Sequence, residues 1–174
     1  MKNLIVLSVL LVLFPGCASL IMSTADRDEK KESIVLSKQD EATVTTPIID
    51  EKLLPEIKDG GFTAEQFATL IQQKVVNELK VAGVNAIANE TETPSTLRIN
   101  IDRYERGSGF FRLFPLFGLG DSYLGGVAIL STPQGKREIE VSKVGQLTGP
   151  GQLGDQTEAN IGYFARALTS KITK

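Results

Sequence analysis

Histidine and tryptophan are absent from this 174-residue sequence, and cysteine occurs once. Without imidazole, the chain lacks the side chain needed for Ser-His-Asp or Cys-His nucleophiles and for histidine-based zinc sites. A single cysteine forms no internal disulfide, iron–sulfur site or cysteine-rich zinc site within one chain. The sequence therefore predicts a protein that is not an enzyme and that holds no metal and no cofactor.

An excess of charge is also missing, because 19 Lys and Arg residues stand against 21 Asp and Glu residues. The resulting formal net charge of −2 gives no electrostatic attraction for nucleic acid, so we expect no nucleic-acid partner. Hydrophobic residues make up 41% of the chain, which is enough for the packed core of a soluble globular domain.

The apolar run at the N-terminus, residues 4–14, is too short to cross a membrane. Its eleven residues would extend about 16 Å as a helix, whereas the hydrocarbon core of a bilayer is about 30 Å thick. Lys2 precedes the run and Pro15-Gly16 follows it. This arrangement is typical of a secretory signal peptide, which we assign to residues 1–16.

The single cysteine directly follows this segment. Phe14-Pro15-Gly16-Cys17 resembles the lipobox of bacterial lipoproteins, in which the cysteine is acylated and becomes the mature N-terminus. The resemblance implies that Cys17 is the lipidation site and attaches the chain to a membrane; the alternative is an ordinary signal peptide with an incidental cysteine. In Gram-negative lipoproteins an Asp after the cysteine usually means retention at the inner membrane, so Ala18 implies an outer-membrane protein facing the periplasm.

The rest of the chain divides into a tether and one domain. Residues 17–32 contain the cysteine and a run of mixed charge without apolar periodicity, which is typical of a flexible solvated spacer. Residues 33–174 contain helix and strand patterns that predict a single α+β domain. We expect a two-layer sandwich, with two helices packed on one face of a four- to five-stranded, mostly antiparallel sheet.

Two apolar stripes predict the helices. Thr63 and Gln66 match a capping box at the start of the first helix, Phe62 and Phe67 match a hydrophobic staple around it, and Gly83 suits its end. Asp155 and Glu158 are expected to open the second helix. The apolar stripe of the first helix is Phe67, Leu70, Ile71, Val75 and Leu79, and that of the second is Ile161, Phe164, Ala165, Leu168 and Ile172.

Alternating and β-branched stretches predict the strands, with a hairpin turn at Pro133-Gln134-Gly135. Pro55 and Asp59-Gly60-Gly61 predict a loop. The carboxylate pairs Asp102/Glu105 and Glu138/Glu140 are interpreted as solvated sheet residues rather than as a glycosidase pair. Residues 34–36 and 43–46 suit one or two strands, and further strands are predicted at residues 84–88, 97–106, 123–132 and 136–147.

The most unusual segment is residues 110–117, which hold half of the chain's eight phenylalanines. One interpretation is a strand end folded over the sheet, since exposing so much apolar surface is costly. The other is a loop that touches the membrane or another envelope protein, with three arginines meeting anionic headgroups. The residues of this candidate interaction site are Phe110, Phe111, Arg112, Phe114 and Phe117, together with Arg103 and Arg106.

The pattern Tyr104-Glu-Arg-Gly107-Ser108, then Arg112 and Gly118-Leu-Gly120, resembles an uncharacterised domain family of bacterial lipoproteins. The resemblance covers about residues 62–174 and supplies no catalytic residues. It implies an α/β sandwich similar to the N-terminal domain of the Tol-system propeller protein and to the lipopolysaccharide-assembly lipoprotein. Those proteins are binding or assembly parts of the envelope.

These observations favour a non-enzymatic outer-membrane lipoprotein that acts as an interaction or assembly module of the cell envelope. Its expected contacts are the membrane, through acylated Cys17, and an envelope protein, through a sheet edge or residues 110–117. The alternative is a binder of a lipid or another apolar small ligand between the helices and the sheet.

Overall fold

Four stretches of the chain are described by the computed structural model: residues 34–88, 93–106, 122–145 and 157–174. All of them belong to the compact unit Ile34–Lys174. The predictions for Cys17, for the tether at residues 17–32 and for the segment at residues 110–117 lie outside the described residues. The fold of the four described stretches can be compared directly with the sequence patterns.

The first apolar stripe forms helix α2 (Ala64–Val81), and its predicted start is confirmed. The backbone N–H of Gln66 donates to the Thr63 hydroxyl over 3.1 Å, and the backbone N–H of Thr63 donates to the side-chain oxygen of Gln66 over 2.9 Å. The rings of Phe62 and Phe67 meet edge to face across this cap, with centroids 6.2 Å apart. Reciprocal capping and the staple together fix where α2 begins.

The predicted end of α2 is also confirmed. Gly83 has a φ of +92°, a left-handed conformation that favours glycine. Its N–H donates to the Lys80 carbonyl, and the Val84 N–H donates to the Leu79 carbonyl. These two bonds form a Schellman motif and satisfy carbonyls that the helix leaves without partners.

The second apolar stripe forms helix α3 (Thr157–Ile172), while the expected loop near Pro55 is a short helix, α1 (Leu54–Asp59). Proline is tolerated in a first turn because its missing N–H has no intrahelical partner there. The loop prediction was therefore wrong at Pro55, although the helix does end at Gly60. None of the helices in the described stretches is both long and apolar enough to cross a membrane.

Six strands form one sheet in the described part of the chain. The strands are β1 (Glu41–Val44), β2 (Ile48–Ile49), β3 (Asn85–Ala88), β4 (Ser95–Glu105), β5 (Ser122–Thr132) and β6 (Gly135–Gly145). Their order in the sheet is β3-β1-β4-β5-β6, and β2 pairs with β4. The residues expected to form a strand at 34–36 make only an isolated bridge, between Leu36 and Thr173.

The sheet is mixed rather than mostly antiparallel. Strand β1 runs parallel to both β3 and β4, and β2 runs parallel to β4. The β4–β5 and β5–β6 pairs are antiparallel, and β5 and β6 form the predicted hairpin. Parallel pairing requires a crossover connection, which the helices between β1 and β3 supply. The predicted strand count and direction therefore needed correction, while the α+β sandwich is confirmed.

One continuous cluster of buried side chains lies between the helices and the sheet. Helix α3 packs on β5 and β6, helix α2 packs on β1, β2 and β3, and the two helices contact each other, so both cover the same face of the sheet. This is the two-layer architecture that the sequence predicted. The largest fully buried members of the cluster include Phe67, Ile71, Leu79, Ile161, Phe164, Leu97, Ile99, Ile101, Leu124 and Leu130.

Candidate interaction surface

The second face of the sheet carries no helix among the described residues. Side chains alternate along a strand, so every second residue of β4, β5 and β6 points away from the buried cluster. We call this surface of the three strands the open face. Its side chains are exposed or half-buried and include Arg98, Asn100, Arg103, Tyr123, Val127, Ile129, Glu138 and Glu140.

Charges of opposite sign lie on the two sides of the open face. Ile129 on β5 pairs with Arg98 on β4 and with Glu138 on β6. Since adjacent strands are about 4.8 Å apart, the Arg98 and Glu138 backbones are separated by about 10 Å. Neither side chain has an ion-pair partner in the described part of the chain. The open face therefore has an apolar middle between a β4 side that carries Arg98, Arg103 and Glu105 and a β6 side that carries Lys136, Glu138 and Glu140.

A β-bulge in β4 determines which side chains of its C-terminal part lie on the open face. In the β4–β5 register, Ile101 pairs with Gly126 and Arg103 pairs with Gly125, which leaves Asp102 as an extra residue. Without it, strict alternation from Ile101 would turn Arg103 toward the core. The bulge instead places Arg103 on the open face and turns Tyr104 inward.

Gly126 makes the bulge sterically feasible. A Cβ at this position would lie 2.2 Å from the carbonyl oxygen of Asn100 and 3.1 Å from the Cα of Ile101. Both are backbone atoms, which cannot move aside as a flexible side chain can. The close approach of β4 and β5 at this point therefore requires glycine.

Gly125, the neighbouring glycine, gives Tyr123 its place on the open face. A Cβ at Gly125 would lie 2.9 Å from Cε1 of the Tyr123 ring, so the ring passes directly over this glycine. The Tyr123 hydroxyl, as a hydrogen-bond partner of the Arg103 guanidinium, and after it the Asp102 carboxylate raise the pKa of Arg103. Arg103 is thus a cation on the open face.

Tyr104, the conspicuous tyrosine of the family-like signature, belongs to the core. It is only 4% exposed, and its ring lies 4.9 Å from that of Phe67. Its hydroxyl is 2.9 Å from the hydroxyl of Thr157, in a hydrogen bond that joins β4 to α3. This satisfied and buried position indicates that Tyr104 couples the two layers.

Two members of the predicted arginine group, Arg103 and Arg106, lie in different surroundings. Arg103 lies on the open face, whereas the guanidinium of Arg106 donates to the carbonyl of Asp59 at the end of α1. The Arg106 backbone N–H also donates to the Glu56 carboxylate over 3.0 Å. Arg112 lies outside the described residues, so contact of this group with headgroups stays a prediction.

Contacts from α3 and from the N-terminal part of the described chain cover part of the β6 edge. The Lys171 ammonium donates to the Glu140 carbonyl over 2.8 Å, and Arg137 donates to the carbonyls of Ile34 and Lys171. Cationic side chains over an edge strand are a common protection against strand addition. At the opposite edge, β3 is only four residues long.

The described residues show two further features that bear on function. Glu138 and Glu140 are exposed on the polar side of β6, as predicted. No group of three or more Cys, Asp or Glu residues suited to hold a metal occurs within the described ranges.

Comparison with solved structures places the chain among proteins of known fold. A PelC dodecamer from Paraburkholderia phytofirmans matches with a TM-score of 0.54 at 10% identity, over 80% of this chain and 92% of PelC. Protein XCC0632 from Xanthomonas campestris, of the family DUF330, matches at 14% identity and a TM-score of 0.46, over 77% and 83% of the two chains. Rare lipoprotein B from Shewanella oneidensis matches at 13% identity and a TM-score of 0.32, over 73% and 92%.

No protein-family model matches the sequence, and no curated protein does. The resemblance carried by the Tyr104 signature, with its implied likeness to the Tol-system and lipopolysaccharide-assembly proteins, therefore stays a prediction. At 10% identity, what this chain shares with PelC is the fold.

Proposed function

We propose that this chain is a non-enzymatic lipoprotein, anchored to the periplasmic side of the outer membrane through Cys17, that assembles with copies of itself or with other envelope proteins. The observation that carries the proposal is the open face. It presents ordered charged and apolar side chains, while the opposite face of the sheet is used for the core. A surface with separated charges and an apolar centre suits recognition of another macromolecule.

The anchor is supported by the position of the only cysteine. Cys17 follows a short apolar run and a small residue, Gly16, as the cysteine of a lipobox does. Several acyl chains, at about 0.8 kcal/mol per buried CH₂, would hold the domain firmly at the membrane. Residues 17–32 would then separate the domain from the bilayer, and residues 110–117 stay our prediction for a second contact.

Self-assembly is supported by the solved structure that shares the fold. PelC is a dodecamer, so this two-layer architecture is compatible with association of identical copies. Most soluble oligomers consist of identical subunits arranged with closed symmetry. We therefore extend self-association to this chain as part of the proposal.

The alternative of an apolar ligand between helices and sheet finds less support. That space is occupied by one cluster of buried side chains, including Phe67, Leu97 and Phe164. Two grooves among the described residues lie at the surface, with volumes of about 470 and 510 Å³. Both are open to solvent and are lined by polar and apolar groups in similar measure, whereas a lipid tail requires an enclosed apolar pocket.

Replacing Cys17 tests the anchor. We expect the wild-type chain, grown with a clickable fatty-acid analogue in a Gram-negative host, to carry the label and to fractionate with the outer membrane. Cys17→Ser removes the thiol that accepts the lipid, so its label should fall to background. In-gel fluorescence and membrane fractionation measure the two properties.

Ala18→Asp is the matched control because it leaves Cys17 intact. We expect it to keep the label but to shift toward the inner-membrane fraction. Equal labelling of wild type and Cys17→Ser, or an unlabelled wild type, would refute the lipid anchor.

A further inference from the structure

We propose that a second copy of this chain docks on the open face, so that the β4–β5–β6 surfaces of the two copies pack against each other around a two-fold axis parallel to β5. This inference rests on the proposed self-assembly and assigns it a surface and a symmetry. The same patch is used on both copies, as in an isologous dimer.

The separated charges of the open face become complementary in this arrangement. Rotation about an axis parallel to β5 exchanges the two sides of the sheet, so β4 of one copy lies over β6 of the other. Arg98 then faces Glu138 of the second copy, and Asn100 faces Glu140. Sheets that pack face to face are about 10 Å apart, a gap that an Arg and a Glu side chain can bridge together. Arg98 and Glu138, which have no ion-pair partner among the described residues of their own chain, each gain one.

The apolar middle of the open face fits the same axis. Val127 and Ile129 lie on β5, so each would contact its counterpart in the second copy. Gly125 and the ring of Tyr123 continue this strip toward the bulge. The centre of the interface is therefore apolar and its two sides carry the ion pairs, as is usual for protein interfaces.

The other face-to-face axis, perpendicular to the strands, brings like charges together when it passes over Asn100 and Glu140. It would place β4 over β4 and β6 over β6 with reversed direction. Centred on Asn100 and Glu140, this packing brings Arg98 toward Arg103 and Glu140 toward its own counterpart. Juxtaposed like charges are unfavourable in an interface, whereas the axis parallel to β5 places no like charges opposite each other.

The size of the open face predicts a weak dimer. Three strands of eleven residues outline about 36 Å by 14 Å, or about 500 Å² per copy. A standard stable interface covers about 800 Å² per partner. Membrane anchoring raises the local concentration of copies, so the contact should be strongest on the bilayer.

Charge exchange with cross-linking tests the inference on the full-length chain in membranes. Ile129→Cys places one thiol near the proposed axis, and a short bis-maleimide reports its distance from the second copy. Adding Arg98→Glu or Glu138→Arg should lower the cross-linked fraction about tenfold, because each creates like-charge pairs. Combining both reversals restores the opposite charges and should restore cross-linking.

Matched controls come from the helical face, where Lys80→Glu and Glu65→Arg make the same charge changes at exposed positions of α2. We expect neither to alter cross-linking through Ile129→Cys. Thermal melting of every variant shows whether it is folded. No cross-link through Ile129→Cys, or single reversals that behave like the α2 controls, would overturn the inference.

The same experiment tests the dimer separately from the lipid anchor at Cys17. If Cys17 is not lipidated, the wild-type chain itself reacts with the maleimide, and the proposed anchor fails. The charge series is then repeated with Cys17→Ser present. Loss and rescue in that series support the dimer whether or not the anchor is correct, and no response to charge reversal contradicts it.

Discussion

Gly126→Ala is expected to lower the free energy of unfolding by about 3 kcal/mol. The added methyl group would lie 2.2 Å from the Asn100 carbonyl oxygen, so the backbones of β4 and β5 must separate at the bulge. Separation weakens the ladder that joins the two strands and disturbs the orientation of Arg103. Urea unfolding of the full-length chain, followed by circular dichroism, measures the change.

Gly162→Ala is the matched control, with the opposite expected sign. Gly162 lies inside α3, has no positive φ, and the nearest atom to an added Cβ is Arg166 Nη2 at 3.9 Å. Alanine there should stabilise the chain by about 0.5–1 kcal/mol, because glycine is a poor helix former. Equal effects of the two substitutions would contradict the close approach at Gly126.

Phe67→Ala is expected to cost about 4 kcal/mol of unfolding free energy. Phe67 is completely buried, and its ring contacts those of Phe62 and Tyr104. Removing it leaves a cavity where α2 meets β4, and the rigid neighbours can close this only in part. Thermal melting should show a fall in midpoint of roughly 10 °C or more.

Phe62→Ala provides the comparison for Phe67→Ala, because Phe62 packs on the same ring but is only partly buried. Its loss should cost about 1 kcal/mol, the size of one aromatic contact. If Phe67→Ala cost no more than Phe62→Ala, α2 would not be packed on the sheet as described.

Local signals predicted the helices well. The ends of α2 are fixed by the capping box at Thr63, the staple of Phe62 with Phe67, and the left-handed Gly83. Each of these acts between residues close in sequence, so a local sequence pattern is enough to predict where the helix begins and ends. The stripe of α3 is buried as expected, because its 3.6-residue period records which side of the helix faces the core.

Features that depend on distant residues were harder to predict. The parallel pairs of β1 arise from a crossover, and no local pattern distinguishes them from antiparallel pairs. Proline occurs both in the first turn of a helix and in loops, so the sequence around Pro55 did not distinguish the short helix α1 from a loop.

The position of Arg103 could be found only from two strands together. The alternation of Leu97, Ile99 and Ile101 continues toward Arg103, which would place a cation in the core. The break in this period at Arg103-Tyr104 and the Gly125-Gly126 pair in the next strand are the available signals of a bulge. Neither signal indicates a bulge unless the register between β4 and β5 is known, because only the register places Gly126 opposite Ile101.

A spin-label distance on the lipid-anchored chain tests the central claim, that identical copies meet through the open face. A label at Ile129 in bilayers should give an intermolecular distance below about 20 Å, because the facing sheets are about 10 Å apart. A label at Asn77, exposed on the outer side of α2, should lie more than about 40 Å from its counterpart, across two helical layers. Ile129 distances equal to or longer than the Asn77 distances, or no dipolar signal from Ile129, would contradict the account.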